Sequence, residues 1–269
     1  MACNSRELYN VSVLAQGIGL APGKRRDCRE PILPMERSGL SPEPLTRGPR
    51  HSRLEKTVRA SMARRSKSSG RWLQEHFSDP FVQRAQAQGW RSRAVFKLEE
   101  IDLREKMLKP GAICLDLGAA PGAWSQYLHR RLGKTGRVVA SDIQPLAPLP
   151  GVQFVQGDFR EQEVFEHILT LVPQRQVDWV LSDMAPSMSG IDAVDQPRSM
   201  YLAELALDMA ARVLKEGGGA LIKVFQGVGF DALLREARSR FANVKLVKPA
   251  ASRARSSEVY LLAKDFRLV

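Results

Sequence analysis

The sequence predicts an α/β fold: a seven-stranded, mostly parallel sheet with helices on both faces and an antiparallel final hairpin. Two observations carry that expectation. From Trp72 onward, short apolar runs alternate with stretches of helical periodicity, the pattern of successive βαβ units. Residues 114–124 read Cys-Leu-Asp-Leu-Gly-Ala-Ala-Pro-Gly-Ala-Trp. There an apolar strand ends at Asp116, the chain turns through small residues, and a helix begins.

The elements follow in order. Asp79-Pro80 has the form of a helix cap with proline at the first position, so a short helix spans Phe81 to Gln88. Val95, Leu98, Ile101, Leu103 and Met107 recur at helical spacing and stop before Pro110-Gly111. Strands are predicted at 112–117, 137–143, 152–157, 177–182, 220–225, 244–248 and 259–263. Helices fall near 123–132, 161–171, 197–214 and 230–241. The last two strands are joined without a helix, so they pair antiparallel.

Composition narrows the class. A chain of 269 residues fits one large domain, or one domain plus an extension. Residues 1–61, rich in Pro, Gly, Ser and Arg, read as a disordered basic extension or as the product of an upstream start; residues 62–269 read as the folded domain. Residues 1–60 carry a net charge of +5, and residues 61–71 add four positives with no acid, out of +12 for the whole chain. A basic arm of this kind suits a polyanion, with nucleic acid the leading candidate. Cys3, Cys28 and Cys114 show no paired spacing, which points to a reducing, cytoplasmic setting. No apolar stretch approaches the roughly 18–20 residues of a membrane span. Val11 to Leu20 is too interrupted by Gln16, Gly17 and Gly19 for a signal peptide. His51, His76, His129 and His167 have no ligand spacing, so no metal is expected.

The turn after Leu117 is spelled D-x-G-x-x-P-G, not the G-x-G-x-x-G that seats a pyrophosphate. Pro121 also removes a backbone donor. A nucleoside cofactor without phosphates fits better, and S-adenosyl-L-methionine is the candidate. Ligands of open α/β sheets sit at the carboxyl ends of the strands, where this chain places Asp116, Asp142, Asp158 and Asp183. Asp142 is spaced to reach ribose hydroxyls, and Asp158 to accept from an adenine amine. Lys223 stands among Leu221, Ile222, Val224 and Phe225 in a central strand. A buried ammonium without a partner is costly. Directed at the strand ends beside Asp183, Lys223 becomes a candidate general base. Lys97 and Glu258 could complete the cluster.

Longer strings carry a resemblance. Ser69 to Phe77, Arg91-Ser92-Arg93-Ala94, Asp116 to Trp124, Gln156-Gly157-Asp158-Phe159, Ser182 to Pro186, Lys223 to Gly227 and Ser252 to Ser256 resemble the FtsJ-type ribose 2'-O-methyltransferases. The likeness runs from about Ser66 to the C-terminus. It implies a Rossmann-like S-adenosylmethionine-dependent methyltransferase fold. It also implies a catalytic tetrad of Lys97, Asp183, Lys223 and Glu258, with Lys223 principal. Cofactor contacts are implied at Gly122, Trp124, Asp142, Asp158 and Asp183. The implied reaction is 2'-O-ribose methylation of large-subunit ribosomal RNA, at a uridine in the peptidyl-transferase region of the assembled subunit. Ala123 replaces a glycine common in the cofactor loop, and Ser187 stands where relatives often carry Asn. RNA is expected along Arg64, Arg65, Lys67, Arg71, Arg91, Arg93, Arg253 and Arg255, with the protein acting as a monomer. Three rivals remain: the same chemistry on tRNA or a messenger cap, an inactive ribosome-assembly factor, and a nicotinamide dehydrogenase.

Overall fold

Parallel strands buried between two helical layers position everything that follows. The computed structural model describes residues 78–172, 175–253 and 256–268. The extension at 1–61 lies outside them, as do Arg64, Arg65, Lys67, Arg71 and Arg255. Two helices open the described chain, α1 (Pro80–Ala87) and α2 (Val95–Glu105). They are followed by β1 (Ile113–Leu117), α3 (Ala123–Leu132), β2 (Arg137–Asp142), β3 (Val152–Gln156) and α4 (Gln162–Leu171). The chain continues through β4 (Val177–Ser182), α5 (Asp192–Val213), β5 (Leu214–Phe225), α6 (Phe230–Arg240), β6 (Phe241–Val247) and β7 (Glu258–Phe266).

The seven strands form one sheet in the order β3-β2-β1-β4-β5-β7-β6. β1 to β5 run parallel, while β7 inserts antiparallel between β5 and β6. The expected seven strands and antiparallel end are therefore present. The strand order reverses between β1 and β4, so a crevice opens at their carboxyl ends.

Each face of the sheet has its own core. α4, α5 and α6 bury Ile168, Leu207, Ala210 and Leu233 against Leu117, Val180 and Ile222. On the other face α1, α2 and α3 bury Ala85, Phe96, Leu98, Trp124 and Leu128 against Cys114, Leu221 and Leu262. Asp102 of α2 is fully buried but satisfied, accepting from Tyr127 Oη at 2.8 Å, Arg131 Nε at 3.0 Å and Leu108 N at 2.8 Å. It fastens α2, the helix that carries Lys97, to α3.

Two elements correct the sequence reading. Pro197 suggests a helix start, yet α5 begins at Asp192 and Pro197 lies inside it. The extra turn is held by Asp195, whose carboxylate accepts from Ser189 N at 2.9 Å, Ser189 Oγ at 2.8 Å and Gly190 N at 2.9 Å. The next residue, Gln196, accepts from Val228 N at 3.4 Å in the loop after β5. β5, predicted at 220–225, starts at Leu214. While β4 advances from Val177 to Trp179, β5 advances from Leu214 to Gly219, and Gly217 takes φ +74° in the bulge.

Candidate active site

The glycine turn lies at the carboxyl edge between β1 and α3. Gly118 has φ +74°, and a Cβ there would stand 2.5 Å from Met184 Cγ and 3.1 Å from Met184 Cα. Only glycine allows this approach of the turn to the loop after β4. Asp142 fixes the turn from beside it, accepting from Ala120 N and from Gln144 N, both at 2.8 Å. A cavity of about 490 Å³ opens here. Its wall includes Gly118, Ala120, Ser141, Asp142, Asp158 and Asp183. Ser141 Oγ is buried and has no hydrogen-bond partner, leaving an unused polar group at the wall.

Next to the cavity, four charged side chains converge from four elements. Lys223 of β5 stands opposite Tyr260 of β7 in the antiparallel register, so both project from the same sheet face. Lys223 Nζ lies 3.2 Å from Asp183 Oδ1 and donates to the Asp183 carbonyl at 2.5 Å. Lys97 Nζ, from α2, lies 2.7 Å from Glu258 Oε1 and 3.9 Å from Asp183 Oδ1. Tyr260 Oη donates to Asp183 Oδ1 at 2.5 Å, and Ser252 Oγ donates to Glu258 Oε1 at 2.7 Å. The Lys223 side chain is only 7% exposed, so its ammonium depends on these partners. Burial alone would raise the Asp183 pKa, but Lys223, Lys97 and the Tyr260 hydroxyl outweigh it and hold the carboxyl below its ordinary value. Tyr260 moves the other way: burial first, then Asp183 and Glu258, push its phenol well above 10.

A family model described as FtsJ-like methyltransferase matches residues 90–266, a span containing both the cavity and this cluster. The chain belongs to the FtsJ-like methyltransferase family. It is 56% identical over 204 residues to "Ribosomal RNA large subunit methyltransferase E" of Legionella pneumophila (strain Corby), covering 76% of this chain and 99% of that protein. To the protein of the same name from Xanthomonas campestris pv. campestris (strain B100) it is 58% identical over 206 residues, covering 77% of this chain and 98% of the other. Among solved structures, a Plasmodium falciparum protein described as a ribosomal RNA methyltransferase aligns with a TM-score of 0.59 at 28% identity. That alignment covers 66% of this chain and 98% of that one.

Within this FtsJ-like domain, the structure brings Lys97, Asp183, Lys223 and Glu258 into one cluster and places Asp142, Asp158 and Asp183 on the cavity wall. Other expected residues stand elsewhere. Asp116 does not line the cavity; it is buried beneath the turn, where its Oδ2 accepts from Ser125 Oγ at 2.6 Å. Gly122 and Trp124 do not line it either. Trp124 is buried against Tyr260, with its indole donating to Ala94 O at 2.8 Å. Asp158 is on the wall, but its carboxylate is held by Arg160, whose Nε lies 2.9 and 2.8 Å from the two oxygens. That pairing lowers the Asp158 pKa.

Of the expected RNA-facing arginines, Arg91 and Arg93 both bond within the chain. Arg91 donates to Pro121, Ala147 and Pro148 carbonyls, while Arg93 bonds Asp79 and the Ala251 carbonyl. Arg93 and Arg253 both border a second cavity of about 570 Å³, together with Lys97, Ser92 and Glu258. Sequence reading missed Tyr260, Ser252 and Arg160. The signal for Tyr260 was present, since it lies two residues beyond Glu258 and therefore on the same strand face.

Proposed function

We propose that this protein methylates the 2'-hydroxyl of a ribose in large-subunit ribosomal RNA, at a uridine of the peptidyl-transferase region on the assembled subunit. The proposed methyl donor is S-adenosyl-L-methionine. The observation that carries the reading is Lys223, a nearly buried amine held 3.2 Å from Asp183 Oδ1 next to a nucleoside-sized cavity. The names of the Legionella and Xanthomonas relatives, which match almost end to end, support the substrate class.

The wall residues suit S-adenosylmethionine. A glycine cradle admits a ligand close to the backbone, and Ser141 Oγ is a free polar group at the wall. Asp142 would hold ribose hydroxyls and Asp158 the adenine amine, once Arg160 yields an acceptor lone pair. Gly122 and Trp124 would contribute through the turn they shape. When bound, the cofactor supplies an electrophilic methyl group on a sulfonium sulfur.

The chain's own residues do the rest. Lys223 Nζ would orient the ribose hydroxyl and, as the free amine and not the ammonium, receive its proton. Asp183 sets the position of that amine through its carboxylate and its carbonyl. Glu258, itself fixed by Ser252, holds Lys97 close enough to share Asp183 with Lys223. Orientation of this kind contributes about 7–11 kcal/mol, and a general base roughly 10²–10⁴-fold. Arg253 borders the second cavity on the Lys97–Glu258 side, where RNA phosphate would approach. In this reading residues 62–269 form the catalytic domain, and the basic run at its start, with Arg64, Arg65, Lys67 and Arg71, contributes sequence-independent RNA affinity.

The test is methyl transfer from labelled S-adenosylmethionine to large subunits lacking the modification. Free ribosomal RNA, tRNA and Lys223→Ala protein are run in parallel. We expect label on a subunit ribose and a loss of roughly 10²–10⁴-fold in Lys223→Ala, with cofactor affinity nearly unchanged. Cofactor binding without transfer to any RNA would favour an assembly factor instead.

A further inference from the structure

We propose that Arg91 is a positioning residue for the cofactor: its guanidinium locks together two neighbouring segments of the cavity wall. This inference rests on the cofactor reading above and assigns Arg91 to that site, not to RNA. One segment is the glycine turn, with Gly118 and Ala120; the other is the irregular segment after β2, with Ile143 and Gln144. Arg91 Nη1 donates to Pro121 O of the turn at 3.1 Å and to Ala147 O at 2.7 Å, and Nη2 donates to Pro148 O at 2.9 Å. One planar fork thus spans both segments.

The packing is equally close. Gly122 has φ +104°, and a Cβ there would stand 2.8 Å from Arg91 Nη1, 2.9 Å from Leu146 Cδ1 and 3.1 Å from Leu149 Cδ1. The turn, the guanidinium and the 146–149 segment therefore touch one another. Arg91 is also fixed at its backbone, where its N–H donates to Gln126 Oε1 at 3.2 Å, while Gln126 Nε2 donates to Gly89 O at 2.9 Å. The guanidinium is thereby referred to α3, a rigid element of the core.

An inner tie between the same segments is Asp142 through Ala120 N, while its bond from Gln144 N orders the segment after β2 itself. Those two bonds aim the carboxylate that would meet the cofactor ribose. Gly118 N and Ala119 N also donate to Ser141 O, at 2.9 and 3.2 Å, so the inner edges are joined near the strand ends; the outer tie at Pro121, Ala147 and Pro148 fixes the parts of both segments beyond that joint. A flexible ammonium cannot reproduce the tie, because lysine offers a point charge where these carbonyls require a two-pronged planar donor. Three of its five donors are thus directed at carbonyls of its own chain.

The experiment compares wild type, Arg91→Ala and Arg91→Lys. Isothermal titration measures S-adenosylmethionine affinity; a salt series measures binding to large-subunit ribosomal RNA; thermal melts check that each variant folds. We expect both variants to bind the cofactor about tenfold or more weakly. KM for the cofactor should rise, with kcat at saturating cofactor retained. RNA affinity and its salt slope should match wild type. A phosphate-contact role predicts the reverse for Arg91→Ala: unchanged cofactor affinity and a salt slope lower by about 1. That result, or wild-type cofactor affinity in Arg91→Lys, would overturn the assignment. If Arg91→Ala fails to fold, Arg91→Lys decides. Wild-type protein that binds no S-adenosylmethionine would instead overturn the cofactor reading itself.

Discussion

Replacing Asp116 by asparagine removes a charge that the folded protein tolerates poorly. Asp116 is 1% exposed, and its Oδ1 has no partner. Burial raises its pKa from 3.8 to about 7; the Ser125 hydrogen bond opposes the rise, and the charges of Asp183 and Asp142 add to it. Between these two values the native state holds a proton that the unfolded chain has released. Stability conferred by Asp116 therefore falls as pH rises through this window, the opposite of an ion-paired aspartate. A shift of this size corresponds to about 4 kcal/mol in full, of which about 2–3 kcal/mol is lost between pH 5 and pH 8. In Asp116→Asn the amide oxygen would still accept from Ser125, and there would be no charge to bury. Guanidinium unfolding of both proteins without cofactor, at pH 5 and at pH 8, isolates the effect, since all other groups titrate in both. The Asp116→Asn variant should gain about 2–3 kcal/mol on wild type across that range. Parallel stability curves would refute a neutral Asp116 in the folded state.

Two further outcomes are expected. Gly118→Ala places a Cβ 2.5 Å from Met184 Cγ at φ +74°, so it should cost at least about 1–2 kcal/mol and abolish measurable cofactor binding in calorimetry. Normal affinity would mean that the turn is not the cofactor cradle. Tyr260→Phe removes a donor to Asp183 Oδ1 and should cost about 1–3 kcal/mol of stability. Its kcat should fall while the KM for cofactor holds, since Tyr260 faces the lysine cluster and not the cavity; a KM effect alone would argue otherwise.

The sheet was legible wherever local pattern and burial agree. The bounds of β4 and α3 are as read from sequence, because each has an unbroken apolar period and a sharp stop. α5 and β5 were misjudged where tertiary contacts override a local breaker: Asp195 holds a helical turn ahead of Pro197, and a bulge carries β5 through a glycine run. The four tetrad positions were visible through resemblance, and the β5–β7 register explains why Tyr260 joins Lys223 beside them. The hydrogen bonds of Arg91 and Arg93 were not legible from charge. A sequence records that an arginine is positive, but not that backbone carbonyls of its own fold will use its donors.

The fastening of two loops to one helical turn has a consequence of its own. Asp195 grips Ser189 and Gly190, and Gln196 touches Val228, so the segments after β4 and β5 share an anchor. Met188, Ile191 and Val228 are large apolar residues exposed on those segments. Held by one anchor, these segments have less freedom to lose than two independent flaps would, so a partner meeting them would lose less affinity to loop ordering.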